Sequence, residues 1–155
     1  DQDGGKLFVV STTDQIYVID EPTEKIEKVY NLKGAKGAIS IAYAPEEKLL
    51  FVVSQGTDNL QILDATDGKL KADVKVGAGP LAVVWEPVRK LAYVANRGSD
   101  SVAVVDVNGN LVANLPGGSY TNHVFTDGKG TVWSVNKARG LNDPQGDHIS
   151  RYAAK

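Results

Sequence analysis

Cysteine is absent from all 155 residues. Disulfide staples and thiolate metal sites are thereby excluded, but the compartment is not decided, because an oxidising environment met by avoiding cysteine leaves the same trace as cytoplasm. Charge of one sign is also missing. Seventeen Lys and Arg stand against 19 Asp and Glu, a formal −2, so no global field draws the molecule onto nucleic acid or an anionic membrane and any polyanion site must be a local patch. No stretch approaches the roughly 18 consecutive apolar residues of a membrane span. The polar start Asp1-Gln2-Asp3-Gly4-Gly5 does not read as a signal peptide. The chain reads as soluble, of a length suited to one domain with a real core.

A repeat is present. Lys6-Leu7-Phe8-Val9-Val10, Lys48-Leu49-Leu50-Phe51-Val52-Val53 and Lys90-Leu91-Ala92-Tyr93-Val94-Ala95 recur at a spacing of 42, and Gly130-Thr131-Val132-Trp133-Ser134-Val135 follows 40 later. Gly56 and Gly98 share one offset, Asp58 and Asp100 (with Asp14) another, and Asp20, Asp64 and Asp106 each close an apolar run. Turn signals at Asp67-Gly68, Asn108-Gly109-Asn110 and Asp127-Gly128 cut the units into strands of four to six residues. Residues 23–33 taken alone could form an amphipathic helix, with Ile26, Val29, Tyr30 and Leu32 as its apolar face. The equivalent stretch Leu70, Ala72, Val74, Val76 alternates with period two, so residues 25–30 are expected to be a strand.

Four short strands per unit of about 42 residues predict an all-β chain of β-propeller blades, sheets standing radially round an axis and burying their faces on one another. The units run 6–47, 48–89, 90–129 and 130–155 within a partial propeller domain spanning 1–155. With strands labelled a to d outward from the axis, strand a falls at 39–43, 81–85 and 121–125, and strand b starts at Leu7, Leu49, Leu91 and Thr131. The tally is b, c, d; a, b, c, d; a, b, c, d; a, b, c, about 3.5 blades. Both outer sheet faces would then be apolar and in need of a partner. The expected partner is the remaining blades, supplied by a preceding part of the same protein or by a second chain. Residues 114–119 make a weak fourth strand, so an irregular last junction is expected.

Leu91-Ala92-Tyr93-Val94-Ala95-Asn96 followed by Ser101-Val102-Ala103-Val104-Val105-Asp106 resembles the YVTN-type β-propeller repeat. Gly79-Pro80-Leu81-Ala82-Val83 with Glu86-Pro87-Val88-Arg89, the long polar loop over 136–147 and the ending His148-Ile149-Ser150-Arg151 are similar to the C-terminal half of the YncE-like bacterial propellers. That resemblance implies a seven-bladed, periplasmic, non-catalytic binding protein without a cofactor, of a type linked to DNA binding.

In a propeller the b–c and d–a loops open on one face, where ligands sit. Here that face is expected to collect Lys33, Lys36, Asn96, Arg97, Tyr120, Asn122, Lys137 and Arg139, a basic set with an interleaved aromatic suited to single-stranded DNA or another polyanion. Asp58, Asp100 and Asp143 lie on the same loops, which is also the pattern of a mixed solvated surface. His123 takes the strand position of Ile41 and Val83 and reads as a core histidine. Tyr43, Trp85 and Phe125 share one position and read, with Trp133, as packing between blades. Asp20, Asp64 and Asp106 read as acceptors for backbone N–H groups in tight turns rather than as a metal ring. The loop over 142–147 has calcium-type oxygens without EF-hand spacing.

Two other readings stay open at this level. One is a calcium-dependent lactonase or quinoprotein-type enzyme, its metal held by oxygens such as Asn96, Asn122 and Asn136. The other is a structural half-propeller that dimerises into a ring of about eight blades.

Overall fold

Short runs rich in Val, Ile and Leu, many of them ended by an Asp, Asn or Ser at a turn, leave the backbone one economical solution: extended strands that hairpin on themselves. The computed structural model describes residues 5–153. The segment Asp1-Gln2-Asp3-Gly4 and the last two residues lie outside that range. Among the described residues, fourteen strands form four antiparallel sheets. The first holds β1 (Lys6–Ser11), β2 (Gln15–Asp20) and β3 (Lys25–Asn31), so the segment with helical spacing is a strand. The second holds β4 (Ala38–Ala44), β5 (Leu49–Ser54), β6 (Asn59–Asp64) and β7 (Leu70–Lys75). The third holds β8 (Pro80–Glu86), β9 (Leu91–Asn96), β10 (Ser101–Asp106) and β11 (Leu111–Pro116). The fourth holds β12 (Thr121–Thr126), β13 (Thr131–Asn136) and β14 (Ile149–Ala153). Sheet order follows chain order throughout.

The core lies between sheets. Ile16, Val18 and Tyr30 of the first meet Leu50, Val52 and Leu63 of the second. Alternate residues of the same strands, Phe51, Val53, Leu60 and Ile62, pack on Val83, Trp85, Val94 and Val105 of the third. Tyr93, Ala95, Val102 and Val104 then receive Val124 and Val132 of the fourth. With both faces covered, β5 is buried at every position, and this explains why Leu49-Leu50-Phe51-Val52-Val53 is a continuous apolar run rather than an alternating one. Phe8–Tyr43 and Phe51–Trp85 pack ring on ring across the first two junctions, with centroids 5.0 and 5.1 Å apart.

The last junction is regular, contrary to the expectation from 114–119. The bulge in β10–β11 recurs at the same place in β2–β3 and β6–β7, so it belongs to the repeat.

A different expectation fails in the fourth sheet. Five residues (127–131) separate the paired positions Thr126 and Val132, where six (44–49 and 86–91) separate the equivalent pairs Tyr43–Leu50 and Trp85–Ala92. The turn is one residue shorter, so His123, Val124 and Phe125 take the register positions of Ser40, Ile41 and Ala42 rather than those of Ile41, Ala42 and Tyr43, and each faces the opposite side from the one expected. Val124 therefore points at the third sheet, while His123 and Phe125 point away from it. His123 is exposed, not a core histidine, and Phe125, 45% exposed, stacks on Trp133 within its own sheet at 5.2 Å rather than between blades.

Two polar devices stitch the sheets together. At the loop end, Asp14, Asp58 and Asp100 all adopt left-handed backbone (φ 60, 51 and 53°), a conformation that Asp tolerates better than most residues. Each Oδ1 accepts the N–H of the residue that leads into the next sheet: Ala38 at 3.0 Å, Gly79 at 2.8 Å and Tyr120 at 2.8 Å. The repeated Gly56 and Gly98 belong to the same contact. Their N–H groups donate to Lys36 O and Ala78 O, and a Cβ on either would sit within 3 Å of that oxygen. At the opposite end Glu86, fully buried, accepts from the N–H groups of Val88, Arg89 and Gly130 and from Arg89 Nε, while Arg89 Nη2 donates to Gly130 O at 2.6 Å.

Candidate functional site

The loops joining strand b to c and strand d to the next strand a lie together at one end, tied by backbone bonds such as Gln55 N to Gly37 O and Arg97 N to Gly79 O, both 3.0 Å. The expected face therefore exists. The eight residues assigned to it divide into groups with different surroundings.

Arg97, Tyr120 and Arg139 come together at the junction of the third and fourth sheets. Tyr120 is held in left-handed backbone (φ 48°) by the bond from its N–H to Asp100, and Lys137 N–H donates to the carbonyls of Ser119 and Tyr120. The guanidinium carbons of Arg97 and Arg139 lie over its ring, 4.8 and 4.7 Å from the centroid. Arg139 Nη2 is also bonded to Asp100 Oδ2 at 2.6 Å. One carboxylate thus fixes both the Tyr120 backbone and the Arg139 head group.

The loop from Lys137 to His148 is built to stay in place over this junction. Asn136, 2% exposed, donates through Nδ2 to Gln145 O and accepts the N–H of His148 at Oδ1. Asp143 accepts the N–H groups of Arg139 and Gln145, which hold its carboxyl below the ordinary carboxylate value. Calcium-type oxygens in this loop are thus engaged as turn acceptors, as Ala138 N–H on Asp147 also illustrates.

Lys33 and Lys36 sit apart from that cluster, exposed on the β3–β4 loop between the first and second sheets. Asn122 is half-buried on β12. Asn96 departs from the expectation: as the last residue of β9 it is fully buried, and its Nδ2 donates to Ser101 Oγ at 3.3 Å. Strand alternation at that position turns the side chain into the protein, so it is not a surface contact residue. Asn96 and Asn136 are accordingly packed into the sheet ends and do not converge with Asn122 as free ligands.

What the residue types did not disclose is the role of Asp14, Asp58 and Asp100. They read as scattered charge on solvated loops, yet each is half-buried and commits an oxygen to a backbone N–H. Their common offset in the repeat was the available signal. The turn aspartates behave as expected: Asp64 takes the N–H of Thr66 at 2.9 Å, and that bond, with Lys71 nearby, lowers its pKa. Asp20 and Asp106 accept from Thr23 and from Asn108 and Asn110 in the same way.

Of the five loop-face cations, only Arg139 forms a salt bridge among the described residues. Arg97, Lys33, Lys36 and Lys137 form none. The three junction aspartates, by contrast, already serve backbone donors.

Antiparallel sheets of three or four strands, packed face to face in chain order with their connecting loops gathered at one end, make this chain a run of β-propeller blades. Among solved structures it is similar to a chain of the hydrazine synthase of Kuenenia stuttgartiensis, with a TM-score of 0.86 and 19% identity over 97% of this chain. It spans 43% of that chain's length, and at such identity the likeness establishes the fold alone. No family model matches the sequence, and no curated protein matches it.

Proposed function

We propose that the chain is the ligand-contacting part of a non-catalytic, YncE-like periplasmic binding propeller, and that its loop end takes a polyanion, single-stranded DNA being the class that suits the residues. The observation carrying this reading is the layer formed by Arg97, Tyr120 and Arg139, with three further cations on the same loop end that have no carboxylate partner among the described residues. Two guanidinium groups occupy the Tyr120 ring, so a base arriving here would stack on guanidinium planes, while Lys33, Lys36 and Lys137 offer point charges to a backbone.

Titration of a labelled single-stranded oligonucleotide at two salt concentrations tests the proposal. Four engaged cations give a slope of log K against log salt of about −3, at roughly 0.7 per phosphate neutralised. Arg97→Glu should weaken binding at low salt and flatten that slope by about one unit. Absence of binding at low salt, or a slope indifferent to Arg97→Glu, would overturn it.

A further inference from the structure

The third residue of strand c faces the preceding sheet. In the third sheet that position holds Ala103, which packs in the apolar core, but in the second it holds Gln61. The Gln61 side chain is 1% exposed. Its Nε2 donates to Lys33 O and to Asp73 Oδ2, both at 2.8 Å, which fixes the amide, while Oε1 has no donor among the described residues. A buried acceptor left unserved costs free energy and is the exception in folded proteins, so its retention at an otherwise apolar position needs a cause.

Gln61 borders a cleft of about 300 Å³ at the junction of the first and second sheets. The end of β3 and the loop after it supply Asn31 and Lys33, and the outer strands β6 and β7 supply Leu63 and Leu70. One end is shaped by Gly68, which lies so close on the Tyr30 ring that a Cβ would sit 2.4 Å from it, while Tyr30 Oη donates to Ala65 O and Thr66 O at 3.0 Å. At the second junction the turn glycine, Gly109, lies on the smaller Ala72 and Val74 instead. The cleft thus belongs to one junction and not to the repeat.

Its lining is chemically selective. Lys69 is already paired with Asp67 at 2.7 Å, whereas Lys33 has no carboxylate partner among the described residues, so the cleft holds one uncompensated cation. Asn31 Oδ1 accepts from Gln15 Nε2 at 3.0 Å, which leaves Asn31 Nδ2 as a donor. Leu63 and Leu70 form an apolar wall. An apolar ligand would leave Lys33 and Gln61 idle, and a bare inorganic anion would leave Gln61 Oε1 and the leucines unserved. We infer that the cleft binds a hydroxylated carboxylate of monosaccharide size, its carboxylate on Lys33, one hydroxyl donating to Gln61 Oε1, another accepting from Asn31, and its C–H face on the two leucines. The volume is at the small end of ligand sites, which excludes longer oligomers from full enclosure.

The test is a titration of isotope-labelled protein with glucuronate and, separately, glucose, followed by NMR at the Gly68 amide and the Gln61 side-chain amide. Glucuronate should saturate with a dissociation constant of about 1 mM, which ordinary ligand efficiency gives for about a dozen non-hydrogen atoms, and glucose should bind about tenfold more weakly for want of the charge-assisted bond. Lys33→Ala should bring glucuronate down to the level of glucose and leave glucose unchanged. Gln61→Leu, which puts an apolar side chain in an apolar junction, should weaken both sugars about tenfold or more while folding as wild type does. Should that variant fail to fold, Asn31→Asp, at an exposed position and still able to accept from Gln15, should weaken glucuronate about tenfold. The inference does not rest on the polyanion reading, because an anion at the loop end would shift Tyr120 and not Gly68. No saturable shift at Gly68 and Gln61 below about 50 mM, glucose binding as tightly as glucuronate, shifts confined to Tyr120 and its neighbours, or a glucuronate preference that survives Lys33→Ala would each overturn it.

Discussion

Glu86 is the most consequential single side chain outside the apolar core, and replacing it by alanine tests how the third and fourth sheets are joined. Its carboxylate is fully buried and collects three backbone N–H groups and Arg89 Nε. Hydrogen bonds to a charged acceptor contribute about 1.5–3 kcal/mol each, although bonds sharing one acceptor do not add. Breaking a buried ion pair costs about 3–5 kcal/mol, and the low end applies here, because Arg89 keeps Gly130 O and is partly exposed to water. Glu86→Ala should therefore cost about 3 kcal/mol, or roughly 6–12 °C in a domain of this size. Glu86→Gln should recover little, since its amide nitrogen would face the Arg89 donors. Urea unfolding followed by tryptophan fluorescence is the assay, with Trp85 and Trp133 reporting on the third and fourth sheets. Lys90→Ala, which breaks the solvent-screened Lys90–Glu47 pair at 2.8 Å, is the control and should leave the midpoint nearly unchanged. A Glu86→Ala midpoint shift no larger than that of the control would refute this account. A fall in the slope of the transition would show the fourth sheet releasing separately, as the near-neighbour coupling of repeat proteins permits.

Asp58→Ala removes the acceptor for Gly79 N–H at the second junction, and by analogy with a lost helix cap it should cost about 1–2 kcal/mol in the same urea assay. Stability should also fall on the acid side. Asp64 and Asp127 are lowered in the folded chain by the N–H groups of Thr66 and Lys129, respectively, so their contribution is full above the unfolded value and lost as pH falls through the folded one. Melting temperature should thus be flat above about pH 5 and decline below about pH 4.

The strand inventory was legible because many turns carry their own chemistry: Asp20, Asp64 and Asp106 at the end of strand c, Gly56 and Gly98 in the b–c turn, Pro45 and Pro87 after strand a. Residues 25–31 show the value of the repeat, since the local spacing favoured a helix and only the aligned copy at Leu70–Lys75 reveals a strand. The faces of β12 were not legible. The fourth hairpin holds five residues between the pairs where the others hold six, and it closes on Asp127, whose carboxylate accepts the N–H groups of Lys129 and Thr131. That difference moves His123 and Phe125 from one side of a sheet to the other. Asn96 failed as a surface residue for a related reason, because the loop begins one position later than the polarity of the side chain suggests.

The candidate site and the fold share a component, and that constrains how the site can work. Asp100 is at once the third copy of the device that joins one sheet to the next and the partner of Arg139. Because its Oδ1 is fixed on Tyr120 N–H, its Oδ2 presents a carboxylate whose position is set by the sheets and not by the loop that Arg139 belongs to. Arg139 is thereby oriented over Tyr120 before any ligand arrives, whereas Arg97, with no carboxylate partner among the described residues, is held by the Tyr120 ring alone. A polyanion that engages Arg139 must share it with Asp100, while one that engages Arg97 competes with no carboxylate among the described residues, only with the Tyr120 ring. Affinity should accordingly be governed by Arg97 and the lysines, and discrimination by the rigid Tyr120–Arg139–Asp100 arrangement beside them.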